Sequence, residues 1–136
     1  MKRILGIDFG MKRTGIAITD ENNIIASGLT TVPTRELMDF LIRTVKEKNV
    51  GTLVLGEPKR LNMEDSHSSQ NVRLFREALE KQFPALQIEM MDERFTSKMA
   101  LESLIAGGVS KKKRQQKELI DEVSATIILQ SYMSTL

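Results

Sequence analysis

Apolar residues come first in short blocks and later in helical stripes, and this change of period organises the chain. Ile4 to Phe9, Thr14 to Thr19 and Ile24 to Thr31 are short strand-like runs, separated by Gly10-Met11-Lys12-Arg13 and by Asp20-Glu21-Asn22-Asn23. Apolar blocks of this length between turn-forming residues predict an antiparallel meander of three strands. Beyond Pro33 the period lengthens. Leu37, Met38, Leu41, Ile42 and Val45 share one stripe, which predicts an amphipathic helix capped by Thr34 and ending near Asn49. Thr52 to Leu55 reads as a fourth strand stopped by Gly56 and Pro58. After a polar loop from Lys59 to Ser69, the core face Val72, Phe75, Leu79 and Phe83 marks a helix closed by Pro84, and Leu86 to Met91 is a fifth strand. Thr96 or Ser97 can cap a third helix carrying Met99, Ala100, Leu104 and Ile105, which Gly107-Gly108 ends. A last helix runs from about Gln116 to Met133.

Three hairpin-linked strands followed by alternating helices and strands predict an α/β fold. Its five-stranded mixed sheet has three antiparallel strands, then two parallel ones, because strands joined through a helix run parallel. Right-handed crossovers place helices on both faces. Ligands in such sheets gather beyond the carboxyl ends of the strands, which selects Asp8 to Gly10, Gly56 to Arg60, and Asp92 to Arg94. The 136 residues suit one domain, residues 1–136, and no internal repeat is visible.

On strand one, Ile4, Gly6, Asp8 and Gly10 alternate onto one face while Leu5, Ile7 and Phe9 take the other. A carboxylate between glycines, with Gly15 and Ala17 extending the low surface, leaves room for a bulky group to come close. The plainer role for Asp8 is a strand-end aspartate serving a turn. In the last helix Asp121 lies on a face continued by Ser124, Ala125, Ile128 and Tyr132, where a carboxylate is expensive to bury unless paired or bound to a metal. Its plainer role is a partner of the helix dipole. Asp92 and Glu93 face opposite sides of a strand, so one of them reaches the Asp8 side; Glu93 is favoured, with Glu57 a competitor. No cysteine is present and His67 is the one histidine. Convergent carboxylates therefore suit Mg²⁺ or Mn²⁺, which would align a phosphodiester and activate water.

The motifs Gly6-x-Asp8-x-Gly10-x-Lys12-Arg13-x-Gly15-x-Ala17, Val54-Leu55-Gly56-Glu57-Pro58, Asp92-Glu93-Arg94, and Asp121 through Ile128-Leu129-Gln130-x-Tyr132 occur in this order. Together they resemble the YqgF family, also called RuvX, over almost the whole chain. That resemblance implies an RNase H-like fold related to the RuvC resolvases. It implies a nuclease maturing the 5′ end of pre-16S ribosomal RNA, or alternatively a Holliday junction resolvase acting on DNA. By the same resemblance Asp8, Glu93 and Asp121 are the catalytic and metal-holding residues. The chain departs from many relatives in Lys59-Arg60-Leu61-Asn62 after Pro58, and in Ser124, where relatives often carry alanine.

Net charge is only +2, so the placement of cations matters more than their number. Lys111, Lys112, Lys113, Arg114 and Lys117 put five cations within seven residues, just before Asp121. With Lys12, Arg13, Lys59, Arg60 and Arg94 they border the expected site and would contact phosphate. Alone, such a run reads as a solvated lead-in to a helix. Six aromatic residues, most of them at core positions, offer no base-stacking platform. The expected partner is structured nucleic acid: precursor ribosomal RNA, with a ribosomal subunit as a further partner, or a four-way DNA junction. The chain is expected to be a monomer or a homodimer, and a resolvase, with its two active sites, would need the homodimer. A non-catalytic binding module fits less well, since it gains nothing from acids at these positions. An actin-like ATPase, which shares the Asp-x-Gly turn, needs a second lobe. No apolar run reaches the ~20 residues of a membrane span, and the expected location is the cytoplasm.

Overall fold

The computed structural model describes residues 2–57, 67–92 and 117–136. Strands β1 (Arg3–Asp8), β2 (Arg13–Thr19) and β3 (Ala26–Pro33) form the meander; a 3-10 turn (Thr34–Glu36) then leads into helix α1 (Leu37–Glu47). Strand β4 (Val50–Glu57), helix α2 (His67–Gln82), strand β5 (Gln87–Asp92) and helix α3 (Lys117–Met133) follow. The sheet order is β3-β2-β1-β4-β5. β1 pairs antiparallel with β2, and β2 with β3, while β1 with β4 and β4 with β5 are parallel. This is the mixed sheet that the patterning predicts. The helix expected after Thr96 lies outside the described residues.

Alternation along β1 separates two cores. Leu5 and Ile7 join Ile16, Leu53, Leu55, Leu37, Leu41, Val72 and Leu79 on the face covered by α1 and α2. Phe9 extends this layer by stacking on Phe75, with ring centroids 4.9 Å apart. Ile4, Ala17 and Val54 meet Ala125, Ile128, Leu129 and Tyr132 of α3 on the other face. One face thus buries the apolar stripes of α1 and α2 and the other the apolar arc of α3, and these layers supply most of the fold's driving force.

Two local expectations are corrected. β3 begins at Ala26, not Ile24, because the Asp20 carboxylate accepts hydrogen bonds from the backbone N–H of Ile24 at 2.7 Å and Ile25 at 2.9 Å. Those amides are committed to a turn and cannot join the ladder, and the same bonds hold the Asp20 carboxyl below its ordinary pKa. Thr34 does not cap α1, whose N-cap position is Glu36 and carries no side-chain cap. Its hydroxyl is used elsewhere.

Candidate active site

Asp8 ends β1 on the face covered by α3. Its cross-strand partner is Gly15 of β2, and directly opposed residues of an antiparallel pair project to the same side. A Cβ added at Gly15 would collide with the backbone carbonyl of Asp121 and lie 3.0 Å from its Cβ. One added at Gly6 would lie 2.8 Å from both the Ala125 carbonyl oxygen and the Leu129 Cβ. The glycines that leave the surface low on this face therefore admit the backbone of α3, not a substrate. This close approach brings Asp8 and Asp121, distant in sequence, to one place. With cross-strand Cβ atoms about 5 Å apart, the two aspartate Cβ positions lie within about 8 Å of each other.

Arg13, on the same face of β2 as Gly15, donates from Nε to Oδ2 of Asp121 at 2.9 Å. The Arg13 and Asp121 side chains are 33% and 22% exposed, so the pair is partly solvated. Such pairs stabilise by about 1 kcal/mol or less, little enough for a stronger ligand of either partner to separate them. Arg13 was expected at phosphate; in this structure it neutralises the carboxylate of α3. Next along that helix, the Glu122 carboxyl is pushed above its ordinary pKa, first by burial and then by the neighbouring Asp121.

The loop between β1 and β2 is tied to the start of α1. The Thr34 backbone N–H donates to the Lys12 carbonyl at 2.9 Å, and the Thr34 hydroxyl donates to the Gly10 carbonyl at 2.6 Å. Its one proton is then committed, so Thr34 accepts from the buried Thr14 hydroxyl at 3.0 Å. Three hydrogen bonds thus fix the turn that follows Asp8 and carries exposed Lys12 and half-buried Arg13. Sequence reasoning missed this role, because a threonine after proline and before a helical stripe has the signature of a cap.

The competing acids separate by face. Glu57 pairs with Asp92 at the ends of β4 and β5 and has the parity of Leu53 and Leu55, which belong to the core under α1 and α2. It sits 3.7 Å from Arg73 of α2. Asp8 instead shares its face with Val54 and Met91, both packed against the α3 core. Glu57 and Asp92 thus lie on the side of the sheet opposite Asp8. Glu93, Lys59, Arg60, Arg94, Lys111, Lys112, Lys113 and Arg114 lie outside the described residues.

Among the described residues no three acids, histidines or cysteines converge as a metal cluster. Asp8 and Asp121 are a fitting half of one. Both are oxygen donors, as a hard divalent cation requires, and their Cβ spacing lets a single ion with metal–oxygen bonds of about 2.0–2.1 Å meet both carboxylates. A further polar atom accompanies them: the Oγ of Ser124, one turn after Asp121, is fully buried and has no hydrogen-bond partner among the described residues.

A model of the family described as RuvX, Holliday junction resolvase, matches residues 2–135. A Bacteroides fragilis protein named "Putative pre-16S rRNA nuclease" is 50% identical over 135 residues, covering 99% of this chain and 98% of the relative. A Christiangramia forsetii protein of the same name is 52% identical over 133 residues, covering 98% of each chain. Among solved structures, T. thermophilus RuvC in complex with Holliday junction substrate aligns with a TM-score of 0.61 at 13% identity, covering 99% of this chain and 98% of that one. A yeast mitochondrial Holliday junction resolvase aligns with a TM-score of 0.53 at 12% identity, covering 97% and 78%. These likenesses show that the fold is the RNase H-like fold of the resolvases.

Proposed function

Since the chain belongs to the RuvX family, we propose that it is a divalent-metal-dependent nuclease processing the 5′ end of pre-16S ribosomal RNA in the cytoplasm. The observation that carries this reading is the meeting of Asp8 and Asp121 across Gly15, on a face otherwise given to apolar packing. Two carboxylates held close together offer a hard divalent cation oxygen ligands from two elements of the fold. Relatives about half identical over the whole chain carry the pre-16S rRNA nuclease name, which favours RNA as substrate. The family description itself favours the second reading, a resolvase of four-way DNA junctions.

In the proposed site Asp8, Asp121 and Glu93 would hold Mg²⁺ or Mn²⁺, which when bound would supply Lewis-acid activation of water and stabilise charge on the phosphodiester. The residues of the chain do the rest. Gly15 and Gly6 let α3 lie low enough for its carboxylate to reach that of β1. Thr34 holds the turn that follows Asp8. Arg13 neutralises Asp121 at Oδ2 and, beside Lys12, would be placed to contact a phosphate of the substrate. Lys59, Arg60, Arg94 and the run Lys111, Lys112, Lys113 and Arg114 extend that contact along the backbone, giving position and salt-dependent affinity without base readout.

The test is cleavage of a pre-16S 5′-end RNA and of a four-way DNA junction with Mn²⁺, by wild type, Asp8→Asn and Asp121→Asn. The reading expects RNA cleavage that both substitutions abolish without unfolding the protein. Junction cleavage alone would transfer the assignment to the resolvase. Equal turnover by wild type and either variant would overturn both.

A further inference from the structure

Ser124 carries the one buried side-chain oxygen or nitrogen without a hydrogen-bond partner among the described residues. Its hydroxyl is fully buried in the middle of α3 and has no hydrogen-bond partner among the described residues. A helical serine normally relieves this by bonding a carbonyl one turn back or by facing water. Here an alanine would cost less on every count: better helix propensity, no polar atom removed from water, and no lost partner. Buried polar groups without partners are uncommon in folded proteins, and one beside a constellation of acids calls for a ligand.

The direction of the hydroxyl follows from the contacts of α3. Glu122 and Thr126 lie against Gly28 of β3, with Glu122 Cβ 3.4 Å and Thr126 Oγ1 3.6 Å from a Cβ built there. Asp121 lies over Gly15 of β2, and Ala125 over Gly6 of β1. At 100° per residue Ser124 sits about 60° around the axis from Asp121, on the side away from β3. It therefore lies on the β1 side of Asp121, beyond the Ala125–Gly6 contact in the direction of β4. Asp8 is two residues along β1 from Gly6, on the same face. Ser124 thus flanks the place where the two aspartates meet.

We infer that Ser124 is a positioning residue whose hydroxyl hydrogen-bonds an oxygen of the bound-ion site, either a carboxylate oxygen of Asp8 or Asp121 or a water held by the ion. This rests on the metal-dependent reading above. The bond fixes which oxygen faces the cation, in the way that outer partners of ligating carboxylates tune a metal site.

The experiment compares wild type, Ser124→Ala and Asp121→Asn by calorimetric titration with Mn²⁺, thermal unfolding without metal, and steady-state cleavage. Ser124→Ala is expected to unfold at the same temperature as wild type or higher, since it removes an unsatisfied hydroxyl. It is also expected to bind Mn²⁺ about tenfold more weakly. kcat should fall while KM for nucleic acid is unchanged. A structural role alone would lower stability and leave Mn²⁺ affinity in place. Mn²⁺ binding that depends on Asp121 but is equal in wild type and Ser124→Ala would overturn the role of Ser124 and leave the metal-dependent reading standing. Wild-type Mn²⁺ binding that is absent or indifferent to Asp121→Asn would overturn both.

Discussion

Replacing Gly15 with alanine tests whether the two aspartates are held together by helix–sheet contact. The added methyl would enter the backbone carbonyl of Asp121, and a main-chain atom cannot swing aside as a long side chain would. Helix α3 must therefore back away by about 1 Å, a displacement that in an active site costs on the order of 10²-fold in rate. The overpacking itself should destabilise by about 1–3 kcal/mol, roughly 3–10 °C in Tm for a chain of this size. Gly6 and Gly28 supply a graded series. At Gly6 the methyl lies 2.8 Å from the Ala125 carbonyl, a smaller conflict, and at Gly28 it lies 3.4 Å from Glu122 Cβ, ordinary contact. Thermal unfolding and Mn²⁺-dependent cleavage should both rank wild type and Gly28→Ala first, Gly6→Ala next and Gly15→Ala last. A Gly15→Ala protein as stable and active as Gly28→Ala would refute the idea that α3 carries its carboxylate to Asp8 through this contact.

Three further outcomes follow from individual side chains. Arg13→Ala should weaken nucleic-acid binding and reduce the salt slope by about one, since one phosphate contact is lost, while Mn²⁺ affinity measured by titration is retained or improved because the Arg13 guanidinium no longer competes for Oδ2 of Asp121; a weaker Mn²⁺ affinity with an unchanged salt slope would reverse the assignment. Thr34→Val keeps the shape but removes the bonds to Gly10 and Thr14, and urea unfolding should show a loss of about 1–2 kcal/mol with a larger proportional rise in KM; an unchanged KM would detach the Lys12 turn from substrate binding. The Glu122 pKa is raised by burial and by Asp121, so its protonated form favours the fold and its contribution is lost as pH rises from the ordinary carboxylate range through the raised value. Glu122→Gln should accordingly raise Tm at pH 7 and do little at pH 4, and a Tm gain that is equal at both pH values would contradict the shift.

The two-faced β1 and the apolar arc of α3 were legible because each is a period in the sequence: two for Ile4, Gly6 and Asp8, and near 3.6 for Asp121, Ala125, Ile128 and Tyr132. What escaped was decided by contacts that no period records. Asp20 captures the amides of Ile24 and Ile25, and so delays β3 despite two β-branched residues. Thr34 turns its hydroxyl to Gly10 across the fold instead of to its own helix. The face of Glu57 was hidden because Leu53, Val54 and Leu55 are all buried, and a strand covered on both sides shows no alternation from which to count. Gly15 was read as space for a ligand, whereas the space is filled by helix backbone. The Arg13–Asp121 pair joins residues 108 apart, which only the folded sheet brings together.

Diffraction from crystals grown with Mn²⁺, recorded to reveal the anomalous signal of the ion, addresses the shared metal site most directly. The account predicts a manganese peak bonded to carboxylate oxygens from both Asp8 and Asp121, with Arg13 withdrawn from Oδ2. A peak on one aspartate alone, or on neither while the Arg13 pair stays closed, would contradict it.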